Sequence, residues 1–198
     1  SLKKKFAEKY RWGTFPSGSV GWRISDESFM QQYSWLDDLK LRVSYGVLGG
    51  DYTGGLYESY STMNLTASYP FNNTYNTGAA LSSYANPAIK WEVAHMANIG
   101  VDMTLFDGSV QINAEYFTKR TRDLILPVQL PGSLGIASGA DLPQSNQNVG
   151  EMKNSGFEYI LSYFKRTGDF QFDIRYTGSH MSNEVLKLQP GVDGYFLD

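Results

Sequence analysis

Few residues of this chain have the types and spacing that catalysis or metal binding requires. The two histidines, His95 and His180, are far apart in the sequence, and neither has a second histidine or a pair of carboxylates at metal-ligand spacing. Because cysteine is absent, thiolate catalysis, disulfides and cysteine-ligated metals are excluded. The acids, Asp123 among them, accompany no Gly-x-Ser-x-Gly elbow and no phosphate-binding loop. We therefore predict that the chain is not an enzyme and binds neither a metal nor another cofactor.

The residues best suited to binding lie in one long uncharged segment. From Ser59 to Ile89 the chain has 31 consecutive residues without a charged side chain, and Tyr, Ser, Thr and Asn are frequent among them. Tyrosine offers rigid amphipathic contact area, and Ser and Asn offer adaptable hydrogen bonds. We predict that this segment contacts a substrate by stacking on sugars; the alternative is that it packs on its neighbours or on a protein that covers it as a lid. The candidate substrate-binding residues are Tyr60, Tyr69, Phe71, Asn72, Tyr75 and Tyr84.

The charge distribution argues against a polyanionic partner. The formal net charge is −3 and no basic run is longer than Lys3, Lys4 and Lys5, so nucleic acid is not expected. No apolar stretch follows these lysines, so no signal peptide is expected there, and no run of 18 apolar residues predicts a membrane-spanning helix. The chain is therefore either soluble or crosses a membrane as strands.

Alternation of apolar and polar residues predicts six strands. The pattern is clearest from Ile89 to Phe106, where apolar odd positions alternate with polar even positions. At about 3.3 Å per residue this run is much longer than the strands of soluble sheets, which usually have about five or six residues. The other five strands are predicted at Val20 to Ile24, Leu39 to Val47, Val110 to Tyr116, Phe157 to Tyr163 and Phe170 to Tyr176.

The connections between these strands are alternately short and long. Short turns are predicted at Ser25 to Trp35, Phe106 to Gly108 and Lys165 to Asp169, and long loops at Gly49 to Pro87 and Ile125 to Asn154. Outer-membrane barrels have short periplasmic turns, long extracellular loops, lipid-facing apolar side chains and lumen-facing polar ones. We therefore predict an all-β chain that forms part of an antiparallel up-and-down transmembrane β-barrel. Within the first turn, a short capped helix is predicted from the spacing of Ser25, Asp26, Phe29, Met30, Tyr33 and Leu36.

The same alternation assigns the charged and aromatic residues of the strands to faces. The polar face carries charges that line the lumen or, more commonly in such barrels, form lumenal ion pairs or contact a plug. The lumen-lining candidates are Lys40, Arg42, Glu92, Asp102 and Glu115. Aromatic residues can form girdles at the membrane interfaces, and ordinary packing within a sheet is the alternative. The girdle candidates are Trp22, Tyr45, Trp91, Tyr116, Tyr159 and Tyr163.

Six strands are too few for an independent barrel. They cannot close around an aqueous lumen, and an open sheet in lipid would leave backbone groups unpaired along two edges. We therefore expect the rest of the barrel to come from elsewhere. The main alternative is a soluble all-β carbohydrate-binding or adhesion domain, in which Trp91, Val93 and Val101 would share a core. A glycan-cleaving enzyme would need two carboxyl groups about 5 to 10 Å apart in a cleft, and nothing in the sequence selects such a pair.

Five blocks of the sequence resemble a known family, over about 10–188. The blocks are, in order, Phe15 to Glu27, Leu36 to Gly46, Asn86 to Glu92, Glu115 to Ile125 and Asn148 to Glu158. They resemble barrel segments of the SusC/RagA-like TonB-dependent transporters of Bacteroidetes-type bacteria. After Gly46 the family tends to have a Gly-Asn-Gln-like step, whereas this chain has Leu48-Gly49-Gly50-Asp51.

The resemblance implies a location, an activity and partners. It implies import of a large nutrient, an oligosaccharide or a peptide, across the bacterial outer membrane through a plugged barrel of about 22 strands. It also implies a SusD-like lipoprotein over the extracellular mouth, the TonB-ExbB-ExbD complex acting through the plug domain, and outer-membrane lipid around the barrel. Residues 1–198 would then be an interior part of the barrel, without the plug domain and the closing C-terminal strands.

Overall fold

The chain folds almost entirely into antiparallel β-strands. The computed structural model describes residues 6–50, 60–130 and 144–188. Two 3-10 helices of three residues each, Glu8–Tyr10 and Ile24–Asp26, accompany the strands. The strands are β1 (Ser17–Arg23), β2 (Leu36–Gly50), β3 (Thr62–Phe71), β4 (Thr74–Ser83), β5 (Glu92–Leu105), β6 (Val110–Gln129), β7 (Gln144–Thr167) and β8 (Phe170–Lys187). No helix in the described ranges is long and apolar enough to cross a membrane.

Six of these strands form one open sheet, in the order β1-β2-β5-β6-β7-β8. Every pair of neighbours is antiparallel. The order is an up-and-down meander interrupted once, where β3 and β4 pair with each other in a separate two-stranded sheet. The prediction of six strands in an antiparallel up-and-down barrel segment is confirmed, and the sheet is not closed.

Two neighbouring rows of the pairing register show that the sheet has two different faces. One row contains Val20, Val43, Ile99, Tyr116, Phe157 and His180. We call the side that these side chains share the apolar face. The next row contains Gly21, Arg42, Gly100, Glu115, Glu158 and Ser179, and we call its side the polar face. Successive residues of a strand point to opposite faces, so this contrast extends along the strands.

Among the residues that the structure describes, none forms a layer packed over the apolar face. Val20 is 74% exposed and Ile174 is 59% exposed, and Val43 and Ile99 are also exposed. If the chain were a soluble all-β domain, these side chains would pack against a second sheet. A wide exposed apolar band instead matches a barrel wall that faces lipid.

The strands β6 and β7 are longer than the sequence predicts. They have 20 and 24 residues, whereas a membrane-crossing strand needs only about 9 to 11. The long loop predicted from Ile125 to Asn154 is therefore wrong in extent, because 125–129 pair with 144–148 as a continuation of the sheet. A bulge at Asp123, whose φ is 58°, marks the start of this continuation.

The first long loop, predicted without strands, contains the hairpin of β3 and β4. Its turn is Asn72-Asn73, with φ of 50° and 59°. Asparagine tolerates this left-handed backbone, and two such residues match the tight turn that suits the twist of paired strands. The side chains of Thr74 and Asn76 both donate hydrogen bonds to the carbonyl of Phe71. The count of six strands therefore omits this hairpin, which occupies 62–83 of the long loop predicted from Gly49 to Pro87.

The connection between β1 and β2 is a series of turns instead of the predicted helix. The main-chain N–H groups of Met30, Tyr33 and Leu36 each donate to the carbonyl three residues earlier. Ser25, the predicted cap, donates its hydroxyl hydrogen to the carboxylate of Asp38 at 3.1 Å. The helix prediction is wrong beyond the 3-10 turn at Ile24–Asp26, because the side chain of Ser25 bonds to Asp38 and the hydrogen bonds that follow join residues three apart, not four apart as in an α-helix.

The other two short turns are close to the prediction. Between β5 and β6 the backbone of Phe106, Asp107 and Gly108 is left-handed, with φ of 57°, 55° and 80°. The N–H of Gly108 donates to the carboxylate of Asp37 at 2.9 Å, which holds this turn against the start of β2. Between β7 and β8 the turn is narrower than predicted, because pairing continues to Thr167 and Phe170.

Candidate functional site

An ion-pair network crosses three strands on the polar face. Arg42 of β2 donates to both carboxylate oxygens of Asp102, from Nε at 2.6 Å and from Nη2 at 3.0 Å. Its Nη1 donates to the carboxylate of Glu115 at 3.2 Å. Asp102 also accepts a hydrogen bond from the side chain of Asn113 at 2.9 Å. One guanidinium therefore links β2 to β5 and β6 on the face predicted to line the lumen.

A glycine of β5 makes this crossing possible. Arg42, Gly100 and Glu115 are successive members of one register row, so the Arg42 side chain passes directly over Gly100. A Cβ atom added at Gly100 would lie 3.0 Å from Nη2 of Arg42 and 3.4 Å from the carboxylate of Glu115. A side chain at this position would therefore displace the guanidinium.

Replacing Gly100 with Ala will weaken the Arg42–Glu115 contact and lower the stability of the barrel slightly. Partly exposed ion pairs contribute about 0–1 kcal/mol, so we expect a loss of this size and not a failure to assemble. The measurement is the unfolding midpoint of the full-length protein in detergent. The matched control is Gly18→Ala, because nothing lies within 4 Å of a Cβ at Gly18. An equal shift in both variants would show that the crossing contributes nothing.

The five predicted lumen-lining residues do not form one site. Arg42, Asp102 and Glu115 form the network, and Lys40 lies directly opposite Asp102 in the register. Lys40, Arg42 and Glu115 border a cavity of about 280 Å³ that Asn98 and Ser19 also line. Glu92 lies eight residues before Gly100, at the start of β5, where its carboxylate accepts a hydrogen bond from the N–H of Ile125 at 2.8 Å. Glu92 therefore holds the start of the β6 extension.

An asparagine clamp joins the bases of the two long loops. The side chain of Asn148 accepts from the N–H of Lys90 at 2.9 Å and donates to the carbonyls of Lys90 and Asp123 at 2.9 and 2.8 Å. The side chain of Asn86 donates to the carbonyl of Asn146 at 2.7 Å. An ion pair of 2.9 Å between Lys90 and Asp123 completes the arrangement. Sequence reasoning assigned no role to these asparagines, although both begin blocks of the family resemblance.

A small apolar cluster lies beside the clamp. Phe6, Ile89 and Ile125 are buried, and Tyr10 and Trp91 pack against them. The ring of Trp91 stacks on Phe6 at a centroid distance of 4.9 Å. The structure thus places Trp91 in a cluster just before β5, apart from the other girdle candidates.

The remaining girdle candidates fall into two groups along the strands of the apolar face. Trp22 and Tyr163 lie near the short turns, where the indole of Trp22 donates to Glu27 at 3.0 Å and Tyr163 packs edge-on against Phe172. The second group is closer to the long loops. It contains Tyr45, whose hydroxyl is 2.8 Å from Nδ1 of His95, and also Tyr116. Tyr159 does not belong to this second group, because it shares a register row with Trp22 through Leu41, Val101 and Ala114.

The candidate substrate-binding residues separate into two places. Phe71 and Tyr75 flank the tip of the β3–β4 hairpin with 69% and 85% exposure, and Asn72 forms its turn. Tyr84 instead lines a cavity of about 550 Å³ with Asn86, Lys90, Ser145 and Asn148. Tyr60 precedes β3 and is exposed, and the position of the Tyr69 side chain lies outside the described part of the structure.

Within the described ranges, no three His, Cys, Asp or Glu side chains are grouped so that they could hold a metal ion. Asp102 and Asp123 form ion pairs with arginine or lysine, and Glu92 accepts a hydrogen bond from a main-chain N–H group. The six-stranded sheet therefore has the character of a barrel wall, with one polar face suited to water and one apolar face.

Comparison with known proteins gives a consistent result. The family model described as TonB dependent receptor-like, beta-barrel, matches residues 3–194. The chain is 32% identical to the TonB-dependent receptor SusC of Bacteroides thetaiotaomicron over 98% of its own length and 19% of that protein. It is 33% identical to the TonB-dependent receptor P26 of Formosa agariphila over 98% of its length and 18% of that protein. The chain thus spans about a fifth of the curated relatives it matches.

Solved structures agree with the fold. The RagAB peptide importer in its closed-closed state matches with a TM-score of 0.77 and 24% identity, over 93% of this chain and 19% of that chain. The same importer in its open-open state matches with a TM-score of 0.74 and 25% identity, over 95% of this chain and 19% of that chain.

Proposed function

The chain belongs to the TonB-dependent receptor β-barrel family, and from this premise we propose that it forms part of the barrel wall of an importer for a large nutrient. Its SusC/RagA-like character and its outer-membrane location follow from the family match and from the relatives. Members of the family are transporters and not enzymes, which agrees with the prediction from the sequence. Residues 1–198 are proposed to be an interior part of the barrel, with the plug domain and closing strands supplied by the rest of the protein.

The observation that carries this proposal is the two-faced open sheet. Its apolar face exposes Val20, Val43 and Ile99, and its polar face carries the network around Arg42. A barrel built from such a wall has an exterior that matches hydrocarbon and an interior that matches water. Transport of a polar solute needs this combination.

The proposed partners follow from the relatives. RagAB and SusC are similar to this chain over nearly its whole length, and they support a SusD-like lipoprotein over the extracellular mouth. Family membership supports coupling to the TonB-ExbB-ExbD complex through the plug domain.

We propose a neutral oligosaccharide as the substrate, with a peptide as the second candidate. The absence of charged residues from 59–89 and the exposed aromatic tip of the β3–β4 hairpin favour sugar stacking. The second candidate rests on the similarity to a protein whose solved structures describe a peptide importer.

Uptake in a strain that lacks the full-length protein tests both candidates. Fluorescent neutral oligosaccharides and fluorescent peptides of similar mass are supplied separately, with and without the restored protein. Restored uptake of the oligosaccharides supports the first candidate, and restored uptake of the peptides alone replaces it with the second. If uptake of neither class depends on the protein or on TonB, the import function itself is wrong.

Replacing both Phe71 and Tyr75 with Ser will reduce the uptake of the transported substrate. Exposed aromatic side chains that anchor a ligand often contribute more than about 1 kcal/mol each, so we expect at least about a fivefold fall in uptake at low substrate concentration. The matched control is Met63→Ser, because Met63 is an exposed apolar residue of the same hairpin. Equal uptake by the double variant and the control would exclude the hairpin tip from substrate binding.

A further inference from the structure

The apolar face changes character in steps toward the long-loop end of the sheet. Along β6, an apolar stretch ends at Tyr116, Thr118 follows on the same face, and Arg120 and Arg122 come next. The register places Phe157, Ser155 and Lys153 of β7 opposite Tyr116, Thr118 and Arg120 in the same order. Apolar, aromatic, hydroxyl-bearing and charged side chains therefore succeed one another on a single face of two adjacent strands.

This sequence of side chains follows the chemistry of a lipid leaflet from its hydrocarbon to its headgroups. Aromatic residues favour the interface, and basic residues favour the charged headgroup layer beyond it. The long-loop end of a barrel of this type faces the cell exterior. The charged step therefore lies at the headgroup level of the outer leaflet, on the side that faces lipid.

The cations of this step are held in place but are not neutralised. One carboxylate oxygen of Glu151 accepts hydrogen bonds from Nε of both Arg120 and Arg122, at 2.5 and 3.1 Å. The two arginine side chains are about half exposed, whereas Glu151 is mostly covered. A single negative charge thus orients two guanidinium groups, and the pair keeps a net positive charge.

Further cations extend this pair into a cluster. Lys153 lies opposite Arg120 and beside Glu184 in the register, and Lys187 lies opposite Glu151. We call these residues the headgroup cluster: Arg120, Arg122, Lys153, Lys187, Glu151 and Glu184. The four cations exceed the two anions. A cavity of about 350 Å³ opens beside the cluster and is lined by Arg122, Glu151 and Lys187, and also by Asp123, whose charge is paired with Lys90.

We propose that the headgroup cluster binds the phosphate group of an anionic lipid in the outer leaflet. Guanidinium groups match phosphate oxygens in two-point hydrogen bonding, and Glu151 orients both arginines before the ligand arrives. The acyl chains of the same lipid would lie on the apolar face directly below, against Tyr116 and Phe157. This site is separate from the transport path, because it lies on the opposite face of the sheet from Arg42 and Glu115.

Lipid retention by the purified full-length protein tests this site. The protein is exchanged into detergent that contains dioleoyl phosphatidic acid and dioleoyl phosphatidylcholine, and bound lipids are counted by native mass spectrometry. We expect a preference for phosphatidic acid that falls by about tenfold or more in R120Q/R122Q, because each basic residue near a lipid surface contributes measurably to anionic lipid binding.

The matched controls distinguish the effect of the face on which a cation lies from the effect of its charge. K153Q should weaken phosphatidic acid binding several-fold, whereas K119Q should leave it within about twofold, because Lys119 is on the polar face of the same sheet. The proposal is overturned if R120Q/R122Q, shown to be folded by its heat-modifiable mobility, retains phosphatidic acid as the unmodified protein does. It is also overturned if K119Q is equally impaired, or if inorganic phosphate at the same concentration displaces the lipid completely.

Discussion

Replacing Val101 with Arg will prevent most of the full-length protein from assembling in the outer membrane. Val101 lies on the apolar face of β5, opposite Leu41 of β2 and Ala114 of β6. An arginine on the lipid face near the bilayer midplane costs about 2–4 kcal/mol, a large part of a typical folding free energy of about 5–15 kcal/mol. We expect the amount of folded, heat-modifiable protein in the outer-membrane fraction to fall by about tenfold or more.

Two substitutions on the polar face are the controls for this experiment. Thr104→Arg introduces the same cation three residues along β5, where it faces the wet side. Asp102→Ala removes the double hydrogen bond to Arg42, which is partly exposed and contributes little. Both variants should assemble nearly as well as the unmodified protein. If Val101→Arg and Thr104→Arg are tolerated equally, the assignment of the two faces is wrong.

Replacing Asn148 with Ala will loosen the bases of both long loops. The substitution leaves the N–H and carbonyl of Lys90 and the carbonyl of Asp123 without their side-chain partner. Each buried or half-buried polar group left unpaired costs about 1–3 kcal/mol, so we expect a local loss of about 2–4 kcal/mol. Hydrogen exchange of the Lys90 amide should then be about thirtyfold faster or more, with little change in the centre of β5.

The neighbouring asparagine supplies the matched control. The hydrogen bond between Asn86 and Asn146 uses the main-chain carbonyl of Asn146, so Asn146→Ala preserves it. This variant should exchange at nearly the unmodified rate. An equally fast Lys90 amide in Asn146→Ala, or an unchanged one in Asn148→Ala, would show that the clamp does not hold the loop bases.

The strands inside the membrane could be predicted because their two faces meet different solvents. The alternation from Ile89 to Phe106 becomes β5, and that from Leu39 to Val47 becomes the centre of β2. Hydrocarbon on one side and water on the other select residues strongly at every position. These segments therefore show a clear alternation of apolar and polar residues with a period of two.

The strands outside the membrane were harder to predict, and for different reasons. In 144–148 all residues are polar, so no alternation marks this part of β7. The bulge at Asp123 also shifts the alternation of β6. In contrast, β3 does alternate, with Met63, Leu65 and Phe71 at odd positions between polar residues, and the Asn72-Asn73 dipeptide follows it, so this hairpin could have been predicted from the sequence.

The side-chain groupings of the candidate site were harder to predict than the strands. The clamp consists of side-chain hydrogen bonds to backbone groups far away in the sequence, such as Asn148 to Lys90, and spacing along one chain does not reveal them. The grouping of Arg42 with Asp102 and Glu115 depended on register, which alternation alone leaves open. The uncharged segment suggested one aromatic surface, whereas folding separates the hairpin tip from Tyr84.

The length of β7 determines how far the protein extends from the outer membrane into the cell's surroundings. From Phe157, where the aromatic step lies, the strand continues to Gln144, a distance of roughly 40 Å along its axis. With the usual tilt of barrel strands, its far end stands roughly 30 Å above the hydrocarbon. A peptide tag inserted beyond that end would therefore clear the lipid surface and should be reachable by an antibody on living cells.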